Sequence, residues 1–276
     1  MEIGAALANG TERLRDYSDS PMLDAELLLA QAIDVPRSYL VAHPDDTLDP
    51  AALDRYFSAI DRRSAGMPLA YIKGEKEFWS MELAVSPDTL VPRPETELLV
   101  GRALQKIPEG DRVSVLDLGT GSGAIALAIA SERPNCEVTA TDISEAALAV
   151  ARENANRHAL PNIEFLAGDW TAPVAGRTFD LVVTNPPYVP DNHPDLDRLR
   201  HEPRVALAAG ADGLDAIRRI SAEAKSVIRV GGSLLMEHGD SQQRAVSGIL
   251  AADGWNDIHD VDDLAGKPRV TIASAT

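Results

Sequence analysis

The chain has 276 residues, 45% of them hydrophobic and 25% charged, an ordinary globular composition with enough apolar material for one large or two modest domains. A formal net charge of −17 excludes a general electrostatic grip on nucleic-acid phosphates, since the Lys and Arg residues form no local run to offset it. The single cysteine, Cys136, excludes an internal disulfide and a cysteine zinc site; the histidines include no pair at ligand spacing, so no metal is expected.

Met1 leads into an acidic amphipathic stretch and no apolar run reaches membrane-spanning length, so a cytoplasmic protein is expected. Residues 1–68 read as helical, with Leu7 and Leu14, Leu23 and Leu27 to Leu29, then Leu53, Tyr56, Phe57 and Ile60 at helical spacing. Pro21, Pro36, Pro44 and Pro50 punctuate that pattern, several at positions that suit a helix start. This region carries no recognisable chemistry. From 69 to 91 the pattern alternates, through Tyr71-Ile72-Lys73-Gly74 and Phe78 to Val85, and predicts a β-hairpin linker. A third region, 92–276, opens on Pro92-Arg93-Pro94-Glu95-Thr96-Glu97, where Pro94 and the acidic residues suit a helix N-terminus. Arg93 and Glu95 serve there either as capping chemistry or as the border of a site.

Beyond residue 108 strands and helices alternate. Strands are predicted at 113–118, 137–141, 162–166, 179–184 and 233–237, with two more closing the chain; helices fall at 124–131, 144–158, 213–229 and near 241–252. Such alternation predicts a mostly parallel sheet with helices on both faces, and ligands beyond the carboxyl ends of its strands.

Four features fall at those strand ends. Asp117-Leu118-Gly119-Thr120-Gly121-Ser122-Gly123 joins the first strand to its helix, and its glycines let a ligand approach the backbone. Asp142 ends the second strand, where a carboxylate can take both hydroxyls of a ribose. A dinucleotide and S-adenosylmethionine both fit this far, but Asp117 would repel a pyrophosphate and suits the ammonium of a methionine moiety. Gly168-Asp169-Trp170 follows the third strand: Trp170 can lie against an adenine or pack as a core aromatic, and Asp169 can accept from the adenine amino group. The most informative stretch is Asn185-Pro186-Pro187-Tyr188, after the apolar run Phe179 to Thr184. The prolines fix the backbone and leave carbonyls without local donors, so with the Asn185 amide and the Tyr188 ring the loop can hold a planar group that carries an NH2.

With these stretches in this order, the chain resembles the release factor glutamine methyltransferases (the HemK/PrmC type), within the class I S-adenosylmethionine methyltransferases that act on planar amino groups. The resemblance also takes in Phe78-Trp79-Ser80, Leu90 to Glu97, His201-Glu202-Pro203, Ala208 to Gly213, Glu237-His238-Gly239 and Asp263 to Thr271. The Pro92 to Glu97 stretch is the discriminator, because adenine methyltransferases share only the later motifs. The resemblance implies an α/β fold with a seven-stranded, mostly parallel class I sheet and a small all-helical N-terminal domain joined by a hairpin. It implies S-adenosylmethionine-dependent methylation of the glutamine N5 in the Gly-Gly-Gln motif of class 1 peptide chain release factors. Cofactor contacts would fall on Gly119, Thr120, Gly121, Ser122, Gly123, Asp142, Trp170 and Asn185, and substrate-amide contacts on Asn185, Pro186, Pro187 and Tyr188, with Arg93 and Glu95 bordering the site. Asn185 Oδ1 and the Pro186 carbonyl would each accept one amide N–H while Tyr188 packs against the amide plane. The helical domain would recognise the release factor, and a monomer that binds neither nucleic acid nor membrane is expected. An N6-adenine DNA or RNA methyltransferase is the rival that shares the amino-group chemistry; it would need a basic surface that this chain does not offer.

Overall fold

The structure is a computed structural model that describes residues 1–276, and the chain divides into two compact units, Met1–Glu75 and Lys76–Thr276. The first is helical: α1 (Ile3–Leu14), α2 (Pro21–Ile33), α3 (Arg37–Ala42), α4 (Pro50–Ser64) and α5 (Leu69–Lys73). Proline opens α2 and α4, and the Asp49 side chain caps α4 by accepting from the Ala52 amide at 3.0 Å. Ile3, Leu14, Leu28, Leu29, Tyr56 and Ile60 form its core. Gly10 lets α1 and α4 pack closely, because a Cβ there would stand 1.8 Å from the Tyr56 hydroxyl.

Tyr71-Ile72-Lys73-Gly74 reads as a strand by alternation, but it is the last helical turn of this unit. Pro68 precedes α5, and Gly74 ends it in the left-handed region at φ 79°. The hairpin starts later, as β1 (Glu75–Phe78) and β2 (Met81–Ala84). Its two-residue turn puts Trp79 and Ser80 at φ 52° and 57°, the positive values a type I′ turn requires. Three carboxylate contacts hold this costly turn: Trp79 N donates to Glu97 at 3.0 Å, Trp79 Nε1 to Glu132 at 2.9 Å and Ser80 N to Glu77 at 3.1 Å.

The remaining elements are α6 (Thr96–Lys106), β3 (Ser114–Leu118), α7 (Ala124–Glu132), β4 (Glu137–Asp142), α8 (Glu145–Arg157), β5 (Ile163–Ala167), β6 (Phe179–Thr184), α9 (Asp195–Arg198), α10 (Asp215–Ala224), β7 (Ile228–Glu237), α11 (Gln243–Ala252), β8 (Asn256–Asp262) and β9 (Pro268–Ser274). The seven strands from β3 onward form one sheet in the order β5-β4-β3-β6-β7-β9-β8, parallel except for β9, which runs antiparallel to both its neighbours. Side chains alternate across it. Val115, Leu181, Val183 and Leu235 meet α6 and α7 on one face, while Leu116, Leu118, Val182 and Met236 meet α10 and α11 on the other.

Helix α10 is shorter than its periodicity suggests, because β7 begins at Ile228. Gly231 at φ 79° and Gly232, where a Cβ would stand 2.8 Å from the Asp180 carbonyl, belong to an irregular stretch where the β6–β7 register shifts. The order reverses between β3 and β6. Their register pairs Leu118 with Thr184, so Gly119 and Asn185 leave the sheet side by side.

Candidate active site

Two cavities meet at that edge. One, of about 420 Å³, is lined by Gly119, Gly121, Asp142, Trp170, Asn185, Pro187 and Arg219 among others. The other, of about 460 Å³, is lined by Arg93, Asn185, Pro186, Tyr188, Gln242 and Arg269 among others. Leu90, Asn185 and Ala206 border both, which makes Asn185 the hinge between the two volumes. Each volume is of the size small-molecule sites have.

The glycine loop shapes the first cavity. Gly119 has φ 73°, and a Cβ there would stand 3.2 Å from the Trp170 ring, so this glycine admits both the turn and the tryptophan. Gly123 works behind the wall instead: a Cβ would stand 2.3 Å from Leu127 and 3.2 Å from Ala151, so it sets the approach of α7 to α8. Thr120 and Ser122 are buried, Thr120 donating to Asp117 at 2.6 Å and the Ser122 carbonyl accepting from Asn154 at 2.9 Å. Asp142 braces the loop by accepting from Gly121 N and from Ser144 N, both at 2.8 Å, and each oxygen keeps a lone pair for a ribose hydroxyl. Trp170 combines the two roles the sequence offered, since it lines the cavity and also packs on the core under β3. Asp169 lines it too, with Oδ2 held by Arg219 at 2.7 Å, which leaves Oδ1 to accept from a ligand.

Asp117 stands just behind this wall. It is fully buried, its Oδ1 has no hydrogen-bond partner, and burial pushes its carboxyl up to about 7 against the pull of the Thr120 hydroxyl. An open acceptor of this kind suits an ammonium, directly or through a water. The residues therefore fit S-adenosylmethionine: Asp142 for the ribose, Trp170 and Asp169 for the adenine, and the Asp117 side of the loop for the methionine end.

The second cavity is held by long-range bonds. Asn185 Nδ2 donates to Thr96 Oγ1 at 3.1 Å, which leaves Oδ1 as the end of the amide without a bond to the protein. Gln242 Nε2 donates to the Tyr188 carbonyl at 3.0 Å, and Gln242 Oε1 accepts from Gly239 N at 2.9 Å. Glu202 is buried, accepts from Val91 N at 3.0 Å and pairs with Arg93, tying the 91–93 segment to the proline-rich loop. Glu237 lies beneath, fully buried, and burial pushes its carboxyl up to about 7, opposed by the Thr96 hydroxyl and the charge of Arg269. Burial, followed by the negative charge of Glu237, raises the Tyr188 phenol as well.

Arg93 thus stands at the second cavity, whereas Glu95 faces neither; it lines a surface groove with Trp79, Pro94 and Leu264. Reading the sequence left Thr96, Glu202, Glu237 and Gln242 without individual roles. Thr96, Glu202 and Glu237 fall within stretches that carry the resemblance, whereas Gln242 carried no signal.

The doubly wound sheet, with a glycine loop after its first strand and Asn-Pro-Pro-Tyr after its fourth, defines a class I S-adenosylmethionine-dependent methyltransferase. A solved T. thermophilus 16S rRNA N2 methyltransferase, in complex with AdoMet and guanosine, shares the fold with a TM-score of 0.55 at 21% identity, over 73% of this chain and 50% of that one. Family models of the PrmC N-terminal domain and the methyltransferase small domain match residues 5–74 and 95–201. The chain is 46% identical to the release factor glutamine methyltransferase of Coxiella burnetii over 99% of each chain. It is 48% identical to that of Vibrio cholerae over 99% of this chain and 96% of the relative. The chain belongs to the release factor glutamine methyltransferase family.

Proposed function

We propose that this enzyme methylates the side-chain amide nitrogen, N5, of the glutamine in the Gly-Gly-Gln motif of class 1 peptide chain release factors, using S-adenosylmethionine. The observation that carries the reading is Asn185 at the junction of the two cavities, with its Nδ2 tethered at 3.1 Å to Thr96 and its Oδ1 left to accept. An amide nitrogen is a poor nucleophile because its lone pair is delocalised into the carbonyl. When bound, S-adenosylmethionine supplies a methyl carbon already activated by the neighbouring sulfonium charge. The task left to the chain is to hold the nitrogen in line. Asn185 Oδ1 and the Pro186 carbonyl each accept one N–H of the glutamine amide, while the Tyr188 ring packs along the amide plane. That geometry favours a pyramidal nitrogen and meets its developing positive charge with acceptors fixed before reaction begins, and the nitrogen sheds one of its two held protons to solvent as the N–methyl bond forms.

Adenine N6 is the other planar amine such a cavity would take. A net charge of −17 opposes the approach of a nucleic-acid backbone and favours a protein substrate. The helical unit recognises that protein, and the reaction belongs in the cytoplasm, where translation terminates; no helix is long and apolar enough to cross a membrane. Incubating the protein with methyl-labelled cofactor and a purified release factor, then mapping the label, tests the reading. Label on the Gly-Gly-Gln glutamine is expected, and label on any other residue or on added nucleic acid rejects it. Removing residues 1–75 is expected to abolish transfer to the intact factor.

A further inference from the structure

One groove on the transferase unit is used by neither the cofactor nor the amide. It encloses about 590 Å³ between α6 and the β8–β9 turn, with Trp79, Pro94, Leu98 and Leu264 as its apolar wall. Leu264 is fully exposed at the tip of that turn, yet the turn is fixed, because Asp263 Oδ1 accepts from Ala265 N at 2.9 Å and from Lys267 N at 3.0 Å. A leucine held out on a rigid support is covered by nothing within the protein.

The groove adjoins the amide cavity at two points. Arg93 lines the cavity, and Pro94 and Glu95, next in the chain, line the groove. Arg269 lines the cavity as well, and its Nε donates at 3.2 Å to Asp263 of the groove. A peptide held at Asn185 can therefore run on across the 93–95 segment into the groove.

Two features describe the occupant. Four carboxylates, Glu95, Glu97, Asp262 and Asp263, line the groove against one cation, Arg102. Glu97 is engaged by Trp79 N and Asp263 by its own turn and Arg269, but Glu95 and Asp262 are exposed and have no ion-pair partner. The charge left over suits a basic segment. Gly101 lies on the same wall, inside α6. Glycine weakens a helix interior relative to alanine, and a Cβ at this position would meet nothing within 4 Å. No packing inside the protein calls for it, so its bare backbone is open to a partner that approaches closely.

We propose that this groove docks a positively charged segment flanking the methylated glutamine of the protein substrate, with an apolar side chain of that segment against Leu264 and Trp79. The proposal rests on the reading of a release factor as the substrate, and adds a docking site on the transferase unit to the recognition assigned to the helical unit.

Steady-state kinetics at saturating cofactor, with the intact release factor varied, test it. Leu264→Ser and Asp262→Lys should each raise KM about fivefold to thirtyfold, with kcat and the cofactor dissociation constant within about twofold of the unaltered enzyme. KM of the unaltered enzyme should climb with added salt, and less steeply in Asp262→Lys. Gly101→Ala is the sharpest case: it should raise the melting temperature by about 1–3 °C, since alanine favours the helix, and still raise KM severalfold. A groove that matters only to folding cannot produce that pair of changes. An unchanged KM in any of the three variants, a KM indifferent to salt, or a loss that falls on kcat or on cofactor binding would overturn the proposal. So would self-association of the unaltered protein that Leu264→Ser abolishes, which would give the groove to a second copy of the chain. An unaltered enzyme that leaves the release-factor glutamine unmethylated would instead overturn the reading of the reaction, which all the other outcomes leave standing.

Discussion

On the cofactor side of Asn185 each wall group lies at or just beyond a strand end: Gly119 and Gly121 after β3, Asp142 closing β4, Trp170 after β5. The amide side is assembled from segments far apart in the chain, with Thr96, Glu202 and Gln242 supplying the bonds that join them. The difference has a chemical meaning. A cofactor is gripped at several places along its length, so losing one contact weakens binding. A carboxamide nitrogen has only two N–H groups to be held by and must be aimed, so losing one contact slows the reaction.

Asn185→Ala should separate the two sides most widely, lowering kcat by about a hundredfold to a thousandfold, as removal of a fixed transition-state partner does. Cofactor affinity, read by titration calorimetry, should change little; equal losses in both quantities would erase the distinction. Asp142→Ala is the mirror experiment. Losing a carboxylate that can bond the ribose should weaken the cofactor dissociation constant by about a hundredfold, at roughly 1.5–3 kcal/mol per charged hydrogen bond, with kcat at saturation much less affected. Gln242→Leu should fall on the amide side of the divide, with a loss in kcat of about tenfold from a loosened Tyr188 backbone and an unchanged cofactor constant.

The smallest effect expected is in pH dependence. Burial raises Asp117 and Glu237 to about 7, above the ordinary carboxylate value of roughly 4. A group raised on folding stabilises the fold below its unfolded value and loses that contribution as pH climbs through the folded one. The cofactor-free protein should therefore lose a few degrees of melting temperature from these two groups between about pH 5 and pH 8. Cofactor binding should run the other way, strengthening as pH rises through about 7, because an ammonium partner favours ionised Asp117. A binding constant flat across that interval would break the assignment of Asp117 to the cofactor side.

The same contrast governs what the sequence made legible. Gly119 to Gly123, Asp142, Asp169-Trp170 and Asn185 to Tyr188 could be read because each is a contiguous stretch at a strand end, and parallel strands deliver such stretches to one edge. Thr96 and Glu202 fall in stretches that carry the resemblance but show no role of their own, and Gln242 shows no signal at all. Their roles arise only once β6 and β7 pair and the proline-rich loop folds back. Local structure misled twice where a glycine intervened. Gly74 closes a helix in a stretch that alternates like a strand, and Gly231-Gly232 hide the first half of β7 inside a bulge.

Asn154, on α8, accepts from the Ala84 amide at 2.7 Å and donates to the carbonyls of Ala84 at 3.0 Å and Ser122 at 2.9 Å. One side chain thereby buttons the second hairpin strand to the glycine loop, with both of its N–H groups donating to backbone carbonyls, one from each. Anyone wishing to prepare the transferase half alone should retain the chain from Lys76 onward. A fragment trimmed to residue 92 would strip Asn154 of two of its three bonds in the interior, and slackness would enter the cofactor loop from a place no ligand touches.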